Sequence, residues 1–459
     1  MAIDAQKEIA ELKAEIERLR AVIAILRAEI EQLREGGGSG PIVVKPSKHK
    51  EKRGQAKKTR RQRAVEQNAG RKKEAEAQVT EIRQHALERC PDCDYKLSGE
   101  SIARHRQVID LPPMPALQVV DHQVIKRWCP KCQAWHTPKL DLSGEVLGQG
   151  RMGHGIASLV SWLRTSLRLP VKSVQTLLRQ IYGLKLSVGE IVELTHAVAR
   201  AGQQAVAEIK AAIVAKPHVH MDETTWRENG DNGYVWSAST PDGLRAFEFH
   251  FSRAGAIPEA FLAGFRGTLV TDFYGGYNHT DGKHQRCWAH LLRDLHKLKD
   301  DHAVTNPELL PWIEAVVQTY RDGKALAQRD PPAMTLERTT LYADLLERLE
   351  QLGRHWPTPT DKGHPAHALC KRLLRHSDEL FEFVLQPGLA ADNNLAERSV
   401  RPLVIARKIS GGTRSERGSA TRMRLQTLFA TWEAQGKAAL AECRALLARL
   451  PPSPLLPQV

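Results

Sequence analysis

Four of the seven cysteines stand in two short pairs, Cys90-Pro91-Asp92-Cys93 and Cys129-Pro130-Lys131-Cys132, with 35 residues between them. A C-P-x-C turn presents two thiolates to one ion, and two such turns complete a tetrahedral Zn²⁺ site that leaves no position for substrate. The spacing therefore predicts one structural zinc bound by Cys90, Cys93, Cys129 and Cys132 in a small ribbon over residues 85–142. In a reducing compartment such pairs serve metals more often than disulfides. His136 is a spare donor nearby and reads as simply exposed. Cys287 and His290, two residues apart, have a spacing that suggests metal, although a cysteine at a strand end beside a polar histidine needs none. Asp222 and Asp272 are acids at strand ends, where carboxylates can meet around a hard cation.

The elements that position these acids follow from periodicity. After Pro217 the pattern becomes that of strands: residues 218–224, 234–239 and 245–251 read as three strands, with Asp231-Asn232-Gly233 as turn chemistry. Residues 257–263 suit a helix, 267–271 a fourth strand ending at Asp272, and 284–287 a fifth. Three antiparallel strands, a helix and another strand is the opening order of an RNase H-like fold, which brings Asp222 and Asp272 side by side. Glu223 should face the other way, because successive side chains of a strand alternate. Upstream, residues 153–201 predict three helices broken at Pro170 and around Gly183, the last opening with capping-box spacing at Ser187 and Glu190. Arg164, Arg168, Lys172, Arg179 and Lys185 beside these helices fit either a helix-turn-helix DNA reader or plain helical packing. A long helical stretch follows Trp288 and ends at Pro387-Gly388.

Over the whole 459 residues, Lys plus Arg exceeds Asp plus Glu by 67 to 53, a net charge of +14 that favours a polyanionic partner such as nucleic acid. Residues 45–73 hold thirteen Lys or Arg against Glu51 and Glu66, which reads as a basic arm whose Lys57, Lys58, Arg60 and Arg61 contact phosphates. Ile9, Leu12, Ile16, Leu19, Ile23, Leu26, Ile30 and Leu33 alternate steps of three and four, with Ile at a and Leu at d, as parallel two-stranded coiled coils do. A homodimer or higher oligomer is expected. Gly36-Gly37-Gly38-Ser39-Gly40 then has the composition of a flexible linker or an engineered junction. No apolar run approaches the roughly 18 residues of a membrane span, and the charged N-terminus lacks a secretory signal, so a cytoplasmic protein on DNA, at the nucleoid in a bacterium, is expected.

Four segments together resemble transposases of the insertion sequence 66 family, over about residues 85–450: 220–224, the run from Thr271-Asp272-Phe273-Tyr274 to Tyr277, Cys287 to His290, and Asp392-Asn393-Asn394 to Arg401. The resemblance implies a DDE transposase that uses Mg²⁺ (or Mn²⁺), held by Asp222, Asp272 and Glu397, to cleave double-stranded DNA at transposon ends and join it to target DNA. It also implies that companion proteins of the element take part. Each acid has a plainer reading: Asp222 as a strand end, Asp272 as a turn, and Glu397 as a capping-box glutamate. Arg398, Arg401, Arg407, Lys408 and Arg414, with Arg417, Arg422 and Arg424 beyond, suit DNA phosphates or a solvated basic face. The expected architecture is α+β and multidomain: a coiled coil (1–35), a basic arm (36–84), the zinc ribbon (85–142), a helical DNA-binding region (143–212), an RNase H-like core (213–298 and 388–410) with a helical insertion (299–387), and a basic C-terminal segment (411–459). The alternatives are a metal-dependent nuclease that does not join strands, and a transposase-derived protein that only binds DNA.

Overall fold

The computed structural model of the chain describes residues 77, 79–102, 104, 106–111, 116–148, 150–329 and 336–449. The expected coiled coil, and Lys57, Lys58, Arg60 and Arg61 of the basic arm, lie outside the described residues. The chain divides into two units, 1–111 and 112–459, and that division falls inside the stretch expected to form the zinc ribbon.

In the first unit, the turn at Cys90 is closed by Cys90 donating its N–H to Tyr95 C=O (2.9 Å) and Asp94 donating to Cys90 C=O (2.9 Å), with Asp94 in the left-handed region at φ 57°. The second unit begins with an antiparallel hairpin, β1 (Arg127–Cys129) and β2 (Ala134–His136), which pairs Cys129 with Ala134 across the other cysteine turn.

Four helices come next: α1 (His154–Thr165), α2 (Val171–Tyr182), α3 (Val188–Ala201) and α4 (Gln203–Val214). Pro170 precedes α2 and Gly183 ends it at φ 66°, the left-handed cap that glycine accepts without a Cβ clash. Ser187 and Glu190 form the expected capping box of α3.

A mixed five-stranded sheet comprises β3 (His218–Glu228), β4 (Asp231–Ser239), β5 (Arg245–His250), β6 (Thr268–Thr271) and β7 (Lys283–Arg286), in the order β5-β4-β3-β6-β7. β3, β4 and β5 are antiparallel neighbours, whereas β6 lies parallel to both β3 and β7. A short helix α5 (Ala256–Phe261) makes the crossover from β5 to β6. Sequential strands pair here wherever tight turns permit, and the parallel pairs require the longer connections.

After α6 (Trp288–His302), helices α7 (Leu309–Ala327), α8 (Leu336–Gly353), α9 (His367–Arg375), α10 (Ser377–Leu380) and α11 (Glu382–Leu385) bury one apolar cluster together with Val270 of β6. This insertion also covers β7. Gln285 donates to Leu380 C=O (3.2 Å) and accepts from Phe383 N–H (2.8 Å), so a side chain bonds the segment that lies over it. The chain then returns as α12 (Asn394–Ser410), α13 (Glu416–Ala434) and α14 (Ala439–Ala448).

The C-terminal helices are not a separate basic segment. Leu425, Leu428, Phe429 and Trp432 of α13 and Cys443 and Leu447 of α14 share one core with Ala157 of α1 and Val198 of α3. Thr427 and Thr431 hydroxyls accept the N–H groups of Phe247 and Arg245 (both 3.1 Å), satisfying part of the β5 edge that would otherwise be open to pairing. Apolar burial thus joins the helical region near 143–212 to the end of the chain, which sequence reading had set apart. No helix of the described residues is long and apolar enough to cross a membrane.

Candidate active site

Strand β3 places Asp222 and Glu223 on opposite faces of the sheet. Trp226 packs with Leu403 and Ala406 of α12 on one face, while Val219 and Met221 pack with Tyr277 on the other. Period-two alternation sets Asp222 on the α12 face and Glu223 behind it. Glu223 accepts from the Tyr277 hydroxyl and is ion-paired with Arg253, whose guanidinium lies 3.8 Å from the Tyr274 ring centre. The parallel register pairs His218 with Thr268 and His220 with Val270; extended by two residues, it sets Asp272 level with Asp222. Asp272 Oδ1 accepts the Tyr274 N–H at 2.9 Å, and its backbone carbonyl accepts from buried Arg286 at 3.1 Å.

Glu397 reaches the site from the start of α12. Its backbone N–H makes the ordinary helical bond to Asn393 C=O (3.2 Å), and Asn393, at the N-cap, makes no side-chain cap bond. The capping-box reading of Glu397 is therefore not what the helix adopts. Instead, Asn393 is 1% exposed and binds outward: its Nδ2 donates to Met221 C=O (2.6 Å), its Oδ1 meets His220 Nδ1 (3.2 Å), and its N–H donates to Cys287 Sγ (3.1 Å). This one amide ties α12 to the peptide next to Asp222 and to the start of α6. Sequence reading had not singled out Asn393 or Arg286. The only signal for the asparagine was its place in the Asp392-Asn393-Asn394 run; Asp392 itself accepts from Asn394 N–H (3.1 Å) in a local turn.

The electrostatics follow from this convergence. The Asp222 carboxyl is pushed up to about 7 by removal from water first, then by the charges of Glu223 and Asp272 and, more weakly, Glu397, while the Glu223 N–H bond pulls it down. Arg253, the cation paired with Glu223, sits on the Glu223 side of the strand. His220 is pulled down to about 4, chiefly by burial, and so stays neutral beside Asn393. Cys287 is buried and its thiol is pushed up to about 11 by that burial. His290 Nδ1 lies 3.7 Å from Glu397 Oε1, and both atoms are buried with no hydrogen-bond partner. A carboxylate oxygen left bare beside two further carboxylates fits a divalent cation, because buried anionic oxygens otherwise carry a large desolvation cost.

The other expected residues fall as follows. Arg398, Arg401, Lys408 and Arg414 are exposed. Arg407 is instead spent on the Thr225 carbonyl and hydroxyl and Arg422 donates to Arg164 C=O (2.9 Å), so these two serve packing, whereas exposed Arg417 pairs with exposed Glu193 (2.7 Å). In the first unit, backbone N–H groups of Asp92 and Cys93 lower the Cys90 thiol. In the second, Cys132 N–H donates to Cys129 Sγ (3.4 Å), and Cys129, Cys132 and His136 offer donor atoms within 4.8 Å of one another. His136 is thus a closer companion of this pair than its exposed position in the sequence reading suggested.

Comparison with known proteins places this acid-bearing mixed sheet in a family. Residues 149–421, more than half of the chain, match the family described as Transposase IS66 family, and the chain belongs to that family. The matched region contains Asp222, Asp272 and Glu397 but neither cysteine pair, and is narrower than the span over which the sequence resembles the family. Two curated relatives from Sinorhizobium fredii are similar to it: the uncharacterized protein y4qI, 28% identical over 46% of this chain and 40% of its own length, and the uncharacterized protein y4jO, 29% identical over 37% of this chain and 48% of its own. The chain thus matches about half or less of the length of these relatives.

Proposed function

We propose that the protein is a DDE transposase that cleaves double-stranded DNA at transposon ends and transfers the freed strands into target DNA. The observation that carries this reading is geometric: the parallel β3–β6 register, extended by two residues, sets Asp272 level with Asp222 on the face of the sheet covered by α12, the helix that bears Glu397. The sheet order β5-β4-β3-β6-β7 with its acids on β3, after β6 and on a C-terminal helix supports an RNase H-like core.

Asp222, Asp272 and Glu397 would hold Mg²⁺ (or Mn²⁺), which when bound supplies an activated oxygen nucleophile and neutralises the leaving oxygen. Asn393 keeps Glu397 against the Asp222 strand, and Arg286 holds the Asp272 turn. Neutral His220 supports the asparagine without adding charge. Exposed Arg398 and Arg401 follow Glu397 along α12 and, with Lys408 and Arg414, suit phosphates of DNA led past the acids. A structural zinc on the cysteine turns, an oligomer assembled by the coiled coil, and companion proteins of the element belong to the same reading.

The test is incubation of the full chain with end-containing duplex DNA, target DNA and Mg²⁺, followed by sequencing of products. Joined products that disappear in Asp222→Asn, Asp272→Asn and Glu397→Gln while DNA binding persists are expected. Cleavage without joining would leave a nuclease, and binding without either would leave a DNA-binding protein.

A further inference from the structure

Cys287, His290 and Glu397 present a second set of donors beside the three carboxylates. A sulfur, an imidazole nitrogen and a carboxylate oxygen lie within 4.8 Å of one another. The His290 Nδ1 to Glu397 Oε1 distance of 3.7 Å is within a small side-chain adjustment of the roughly 3.3–3.6 Å between a nitrogen and an oxygen on a tetrahedral ion at about 2.0–2.2 Å. Both of those atoms are buried and face each other without a hydrogen bond, so a shared ion would satisfy both. The third is prepared differently: the backbone N–H groups of Asn393, His290 and Ala289 act on Cys287 Sγ, as the Cys132 N–H does on Cys129 in the cysteine turn. These N–H groups only oppose the burial that pushes the Cys287 thiol up, so the sulfur loses its proton when an ion takes the proton's place.

We propose that Cys287, His290 and Glu397 bind a transition-metal ion of the zinc type, distinct in donor chemistry from the carboxylate centre and competing with it for Glu397. Thiolate and imidazole select zinc and its neighbours, whereas Mg²⁺ takes hard oxygens and leaves Cys287 and His290 unused. Binding transfers the Cys287 proton to solvent, forms bonds from the ion to Sγ, Nδ1 and Oε1, and leaves one position for water. Zinc at this site draws Glu397 away from Asp222 and Asp272, so it acts as an inhibitor of DNA cleavage. Ion binding stands on these three residues alone; the inhibition rests on the transposase reading above.

The experiment titrates the full chain with Co²⁺ and with Zn²⁺, comparing wild type with Cys287→Ser, His290→Gln and Cys129→Ser. The expected result is that Cys287→Ser and His290→Gln each bind about one ion fewer per chain than wild type. Cys287→Ser also loses part of the sulfur-to-cobalt charge-transfer absorption, and Cys129→Ser retains the part that Cys287→Ser lacks. Unchanged ion counts and absorption in both Cys287→Ser and His290→Gln would overturn the proposal. Should Cys287→Ser fail to fold, His290→Gln, on a partly exposed side chain, decides by ion count alone. In the second arm, zinc is added to cleavage reactions in Mg²⁺ and each protein is scored against its own zinc-free rate. Wild type is expected to lose most of its rate, and Cys287→Ser to lose at least tenfold less. Absent cleavage in Mg²⁺ alone counts against the transposase reading only, whereas normal Mg²⁺ cleavage with unaltered ion binding in the variants counts against the zinc site only.

Discussion

Asp222→Asn is expected to stabilise the metal-free protein while removing its cleavage activity. The wild-type carboxyl is raised from 3.8 to about 7, so ionising it in the fold costs roughly 4 kcal/mol at about 1.36 kcal/mol per pH unit. Partial access to solvent lowers that figure to about 2–4 kcal/mol. The sign follows from linkage: an acid whose folded pKa lies above its unfolded one destabilises the fold as pH rises through the window between them, and the full penalty is present above the folded value. The asparagine never ionises and keeps an oxygen for the Glu223 N–H that Asp222 Oδ1 accepts at 2.9 Å. Its advantage in chelator should therefore be largest at pH 8, fall to about two-fifths of that at pH 5, and vanish near pH 3. Calorimetry or fluorescence melts read this as a Tm gain of several degrees at pH 8, at roughly 2–4 °C per kcal/mol or less for a chain of this size. Added Mg²⁺ should stabilise wild type more than Asp222→Asn at that pH, since the cation binds the ionised cluster. A variant less stable than wild type in chelator at pH 8, or an advantage that is the same at pH 5 and pH 8, would refute the reasoning.

Asp272→Asn and Glu397→Gln should each slow cleavage by roughly a hundredfold or more, and the double variant should lose little further, because groups holding one centre act as a unit; rates that multiply in the double variant would show separate roles. Asn393→Ala, which strands the Met221 carbonyl and His220, should cost about 2–3 kcal/mol in a denaturant melt and also weaken Mg²⁺ dependence of cleavage, whereas a loss of stability with normal metal dependence would make the residue structural only. Elemental analysis of protein purified without chelator should find zinc that falls in Cys90→Ser and Cys129→Ser, and less than about half an equivalent in wild type would count heavily against a structural site at the cysteine turns. Deleting residues 9–33 should weaken self-association in light scattering; an unchanged oligomer would mean that the zipper pattern is not what assembles the protein.

Local chemistry in the sequence located the five strands of the main sheet to within a few residues and some helix ends, but it put the β3–β4 turn at Asp231-Asn232-Gly233, which lie inside β4, whereas the turn falls at Asn229-Gly230. Alternation between faces marks β3 and β5, Pro170 and Gly183 punctuate the helices, and the Ser187–Glu190 box forms as its spacing implies. The order of strands and a helix, read as that of an RNase H-like fold, was what suggested Asp222 and Asp272 side by side, and the parallel β3–β6 register, extended by two residues, sets them level. Glu397 was different. Its spacing from Asn394 suits a helix cap, but in the fold α12 already includes Asn394 and its N-cap is Asn393, whose side chain bonds Met221 and His220, and the Glu397 oxygen lies bare beside His290. The uses of Arg407, Arg417 and Arg422 were likewise invisible along the chain. A run of arginines has the same composition whether it meets phosphates or carbonyls, and the partners here are Thr225, Glu193 and Arg164, brought close by long-range packing. Periodicity reports which face of an element is apolar, so the sequence determined the elements and their faces. The apolar faces of α13 and α14 are satisfied by any suitable surface, and only the folded core decided that α1 and α3 supply it.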